Sequence, residues 1–167
     1  MFLTLRVLHI ITGVFWAGAV FYLISFLVPA FKEVGPDGAK VFASLRRRRM
    51  FTWIPVIATV TVVSGFWLYM MRMGGGTGWA MTREAMWLGT GGVTGTIALI
   101  LGVVGMRSPS LKADDLSREA GPMAPGADRD AKMALAQKLR GRALMSGRAT
   151  ATLLLITVVA MSIARYR

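Results

Sequence analysis

Four apolar runs, at about residues 5–31, 51–71, 85–106 and 145–164, constrain this chain more than any other feature. A helix needs roughly 20 apolar residues to cross a hydrocarbon layer about 30 Å thick. Three runs meet that length outright. The fourth has an uninterrupted core only from Ala149 to Ala164, but Arg148 can extend its head group toward water, so Ala143 to Met145 are expected to lengthen it. The expectation is an all-α, polytopic membrane four-helix bundle forming a single membrane domain over residues 1–167. Met1 to Arg6 carries one Arg and no cleavage-type site follows it, so the first run is expected to be retained as a span.

Charge gives the orientation. The chain has 20 Lys and Arg against 8 Asp and Glu, a net charge of +12. Lys32, Lys40 and Arg46 to Arg49 lie between spans one and two, and Arg107, Lys112, Arg118, Arg129, Lys132, Lys138, Arg140, Arg142 and Arg148 between spans three and four. The other side holds only Arg6, Arg72, Arg83, Arg165 and Arg167. Basic residues accumulate on the cytoplasmic side of membrane proteins, so both termini and the loop Gly74 to Gly78 are expected to face outward. Tyr69, Trp79, Trp87 and Tyr166 then fall at the outer interface. The basic residues flank apolar runs and do not interleave with aromatics on a polar surface. That distribution indicates lipid, including anionic lipid, and not nucleic acid. The setting is expected to be a bacterial inner membrane.

The inner connections differ in character. Pro36-Asp37-Gly38 opens a stretch with Val41, Phe42 and Leu45 at helical spacing, expected to run as an amphipathic helix into span two. Residues 108–127, with Pro109, Pro122, Pro125 and several Gly, are expected to be a flexible linker. Asp128 or Asp130 is expected to cap a helix carrying Met133, Ala136, Leu139 and Ala143 on one face into span four.

Within the spans, Gly91, Gly95, Ala98, Gly102 and Gly105 recur at spacings that put them on one face of span three. Small residues let helix backbones approach closely. The face is expected to pack closely, against a bundle neighbour, a second copy of the chain, a partner in a larger membrane complex or a flat cofactor. His9 is the only histidine and lies in the outer third of span one. A neutral imidazole there can ligate haem iron or copper or relay a proton, or it can be an interfacial structural group bonded to neighbouring backbone or a hydroxyl such as Thr12. Twelve methionines are present, and Met70, Met71, Met73, Met81 and Met86 cluster about the outer loop. Thioethers select Cu(I), so His9 with Met70 and Met73 is a candidate metal set; ordinary packing is the alternative use of Met. Met70 and Met71 point about 100° apart and cannot share one ion. Arg46, Arg47, Arg48 and Arg49 form a topology determinant and a candidate site for anionic lipid headgroups.

The cysteine count is zero, which excludes thiolate metal sites, disulfides and a catalytic thiol. No carboxylate lies in a span, which disfavours a proton-coupled transporter. No catalytic triad or HExxH motif occurs, and Gly74 to Gly78 lacks the strand, helix and Lys of a phosphate loop. No catalytic residue is expected.

The segment Leu8-His9-Ile10-Ile11-Thr12-Gly13-Val14-Phe15-Trp16-Ala17-Gly18 resembles the opening of CopD-type copper-resistance membrane proteins and, more distantly, of HemJ-type protoporphyrinogen oxidases. Arg46 to Arg49 followed by Pro55 and Gly65 is similar to the HemJ-like second span. The resemblance covers about residues 5–70. It implies a four-helix membrane protein with haem b at His9 on the HemJ side, or copper handling on the CopD side. HemJ-like proteins carry a Lys in the third span, and this chain has Gly91, Thr94, Gly95 and Thr96 there and no Lys. That departure counts against oxidase activity, and the chain is most similar to the uncharacterised four-helix relatives of these groups. A non-catalytic structural or assembly subunit is the alternative.

Overall fold

Inside hydrocarbon no water is available to bond a free backbone N–H or C=O, so each apolar run closes its own ladder as a helix. The computed structural model describes residues 1–74, 77–164 and 166. Its helices are α1 (Phe2–Glu33), α2 (Pro36–Arg47), α3 (Met50–Met73), the short α4 (Thr77–Ala80), α5 (Arg83–Ala120) and α6 (Ala127–Ile163). There is no strand among the described residues. Four of these helices, α1, α3, α5 and α6, are long and apolar enough to cross a membrane. The protein is an all-α, multi-pass membrane four-helix bundle. Gly75 and Gly76 of the outer loop, and Arg165 and Arg167 of the outer charge set, lie outside the described residues.

Close approaches at glycine set the register. On α5, Gly91 faces Met161, Gly95 faces Thr157, Gly102 faces Thr150 and Gly105 faces Ser146 of α6. One number rises as the other falls in step, the mark of an antiparallel pair. A Cβ at Gly105 would lie 2.6 Å from Ser146 Oγ, and one at Gly91 2.8 Å from Met161 Cε. Thr94 and Thr157 add a hydroxyl–hydroxyl bond of 2.8 Å across this seam. The small-residue face of span three thus lies against α6, a neighbour in the same bundle. Helices α1 and α3 pair in the same way, with His9 against Gly65 and Gly13 against Thr61. Ile24 of α1 sits on Gly147 of α6. Helices α1 and α5 are diagonal, as are α3 and α6. Trp16, Val20, Ala58, Ala98 and Leu154 fill the space between them.

Three connections differ from the sequence expectation. Residues 108–120 are helical, not linker: α5 continues through them and packs on the first half of α6, burying Ala113, Ala120 and Ala136 completely. This hairpin extends about 20 Å beyond the spans at 1.5 Å per residue. Only residues 121–126, with Pro122, Pro125 and flanking Gly, connect the two helices. Pro109 does not end α5 because a wider π-type turn at Leu101–Arg107 precedes it. The same device, at Leu23–Leu27, precedes Pro29 in α1. A proline has no N–H and crowds the carbonyl four residues back, and a widened turn moves that carbonyl aside. Second, α2 does not run into α3. Arg49 adopts a left-handed backbone (φ 58°) and starts the new helix. Third, Asp128 and Asp130 do not cap α6. Gly126 holds that position and the two acids sit in the first turn, where they complement the helix dipole.

Pro55 creates a related problem inside α3. The Phe51 carbonyl would normally receive the N–H four residues later, which Pro55 lacks. Arg107, at the basic end of the α5 span, donates its Nε–H to that carbonyl at 2.5 Å. An orphaned acceptor costs about 1–3 kcal/mol when its partner is removed. Arg107→Ala is therefore expected to destabilise the bundle by about that amount. Pro55→Ala restores the missing N–H and should remove most of the Arg107→Ala penalty. A double-mutant cycle on unfolding in detergent measures this; additive effects would contradict the assignment.

Candidate functional site

The α1–α3 seam places His9 beside Thr61, Ser64 and Gly65. His9 lies about 10 Å along α1 from its start and is half-buried. Its Nδ1 is 2.8 Å from the Thr61 carbonyl. A carbonyl only accepts, so Nδ1 carries the proton and donates it. Ser64 Oγ, 3.3 Å from Nδ1, donates to the same carbonyl at 3.0 Å. In the neutral imidazole the lone pair is then on Nε2. No hydrogen bond to Nε2 is formed among the described residues, and none of their buried side-chain polar atoms is sealed without a partner. Nε2 therefore reaches the surface of the bundle.

Gly65 makes the arrangement possible. A Cβ at that position would lie 2.6 Å from His9 Cε1 and 3.1 Å from Nδ1, so any side chain would displace the ring. Beside this contact Leu5, Leu8, Val60, Val63, Ser64 and Trp67 line an apolar groove of about 240 Å³ between α1 and α3. One imidazole with its far nitrogen held by a carbonyl is the arrangement that orients histidines bound to metals. It suits one axial position on haem iron. It is not a multidentate metal site, and the described residues contain no group of three His, Cys, Asp or Glu.

The candidate copper set is not assembled. Met70 and Met73 are exposed and lie about 7.5 Å and 12 Å further along α3 than Gly65, with Met70 turned about 140° from it. They do not converge on His9. Thr12 also plays no part in holding the ring; its hydroxyl bonds the Leu8 and His9 carbonyls of its own helix.

The four arginines separate. Arg46 donates to Asp114 and Asp115 of α5, and Asp114 also pairs with Arg118 at 3.3 Å. Bonds to Asp115 and Asp114 raise the Arg46 pKa above its ordinary value, so Arg46 stays charged throughout the physiological range. Arg46 thus ties α2 to the hairpin of α5 and α6, and of the four only Arg47, Arg48 and Arg49 remain exposed. At the opposite end Glu84 accepts from Arg72 at 2.7 Å and from Trp79 at 3.4 Å, with Tyr69 edge-on to Trp79. That cluster ties α3 to α5.

Sequence reasoning did not identify Thr61 and Ser64 as partners of His9. Their signal is the spacing of Ala58, Thr61, Ser64 and Gly65, a small and polar face in an otherwise apolar span. No protein-family model, characterised protein or solved structure matches the chain.

Forcing a side chain into the ring's space provides a check. Gly65→Val is expected to cost about 1–3 kcal/mol, the usual penalty of overpacking. Combining it with His9→Ala should recover much of that loss. Equal penalties with and without the imidazole would mean that the ring does not lie on Gly65.

Proposed function

We propose that this chain is a bacterial inner-membrane protein, with both termini outward, that holds haem b in the outer leaflet through His9 Nε2. The observation that carries this reading is the bond from His9 Nδ1 to the Thr61 carbonyl, which leaves Nε2 with a free lone pair at the α1–α3 seam. The HemJ-like resemblance of the first span supports it. Haem is favoured over copper because it needs only one protein donor here, whereas the thioethers lie too far away to complete a copper set. His9 is the one histidine of each chain, so a second imidazole for the haem would have to come from a second copy. When bound, haem supplies redox or ligand-binding chemistry. Thr61 and Ser64 hold the imidazole tautomer, and Gly65 leaves room for the ring.

A second reading, a non-catalytic assembly subunit, is favoured by one feature. The charged inner hairpin of α5 and α6 extends well beyond the spans and offers a polar surface to a partner in a larger membrane complex.

The protein purified in mild detergent from haem-replete cells is expected to show a Soret band that is lost in His9→Ala and weakened in Gly65→Val. A colourless wild-type protein that co-purifies with other membrane subunits would favour the second reading and end the first. Orientation is checked separately: a reporter fused after Arg167 is expected to register outside the cytoplasm, and a cytoplasmic signal would invert the assignment.

A further inference from the structure

The bundle contains a second apolar space, at the opposite end from His9. It runs between the diagonal helices α1 and α5, from Trp16, Ala58 and Ala98 at mid-span to Phe51 and Arg107 at the basic end. Nine residues of α5 cover that distance, about 13 Å. Its free volume is only about 40 Å³. An acyl chain enters so small a space only by parting the side chains that line it, and a flat ring system would have to displace them further.

The mouth of the crevice is cationic. Arg107 lines it and uses only Nε–H on the Phe51 carbonyl, leaving the other four N–H donors of its guanidinium. Helix α3 begins one residue before Phe51, after Arg49 at its N-cap and with no side-chain cap, so its positive dipole end and free N–H groups lie there. Arg47, Arg48 and Arg49 are exposed and form no salt bridge among the described residues. Asp114 and Asp115, the nearby acids, are already engaged by Arg46. An apolar slot with Arg107 in its lining, and with exposed arginines in the residues just before α3, matches a molecule with a hydrocarbon chain and an anionic head.

We propose that this crevice takes one acyl chain of an anionic phospholipid from the basic-side leaflet, with the lipid phosphate held by Arg48, Arg49 and Arg107. The site is independent of His9 and would place a bound lipid between α1, α3 and α5 as part of the bundle's core.

Thermal unfolding in an uncharged detergent tests the proposal. The wild-type protein is titrated with dioleoyl phosphatidylglycerol, with dioleoyl phosphatidylcholine and with glycerol phosphate, which has the anion but no chain. Only phosphatidylglycerol is expected to raise the melting temperature. Removing two surface arginines in Arg48→Gln/Arg49→Gln should weaken its apparent affinity about thirtyfold. Val103→Phe, which fills the crevice, should abolish the gain while leaving the arginines in place. Equal stabilisation by phosphatidylcholine would show a slot with no anion selectivity, and an effect of glycerol phosphate alone would show a headgroup site without a chain. Either result, or an unchanged affinity in the arginine variant, overturns the proposal even if Val103→Phe does not fold.

Discussion

Two backbone carbonyls of α3 are bonded from other helices, and the arrangement of the bundle depends on them. In hydrocarbon a carbonyl without a donor is costly, and water cannot compensate. The Phe51 carbonyl loses its donor to Pro55 and receives Arg107 from α5. The Thr61 carbonyl receives His9 from α1 and Ser64 from its own helix. Helix α3 is thereby tied at two depths to two different neighbours. Van der Waals contact along glycine seams has little directionality, whereas these bonds fix rotation and height.

The glycine seams supply the closeness that such bonds need. Apolar helices in lipid gain little from hiding one another's surface, so association rests on close packing. Gly91, Gly95, Gly102 and Gly105 let α6 approach α5, and Gly65 lets an imidazole approach α3 closely. The two ends of the molecule then differ. One carries a single oriented nitrogen in the α1–α3 seam. The other carries a small apolar slot with Arg107 in its lining, and beyond it a hairpin locked to α2 through Arg46.

The spans were legible in the sequence because hydrophobic length is a strong, local signal. The close-packing face of α5 was legible because its spacing follows the helical repeat. What the sequence concealed depended on pairs of residues far apart in the chain. The bond from Arg107 to Phe51, 56 positions away, appears only once Pro55 is seen as a missing donor with α5 alongside. The helix over 108–120 was obscured by Pro109, since composition does not reveal that a widened turn upstream accommodates it. His9 was visible as an intramembrane ionisable group, but its partner is a carbonyl, and backbone atoms leave no mark in the residue pattern. The methionines illustrate the reverse case: Met70 and Met73 are neighbours on one helix but lie well along α3 from the Gly65 contact with His9.

Because His9 is the only histidine, nitrogen-15 NMR of ring-labelled protein in detergent gives a single imidazole and tests the central claim directly. At neutral pH, without added haem, Nδ1 is expected to show the shift of a protonated nitrogen and Nε2 that of an unprotonated one. The opposite tautomer, or a ring averaging freely between the two, would contradict the bond to Thr61 and remove the basis for an oriented ligand at this site.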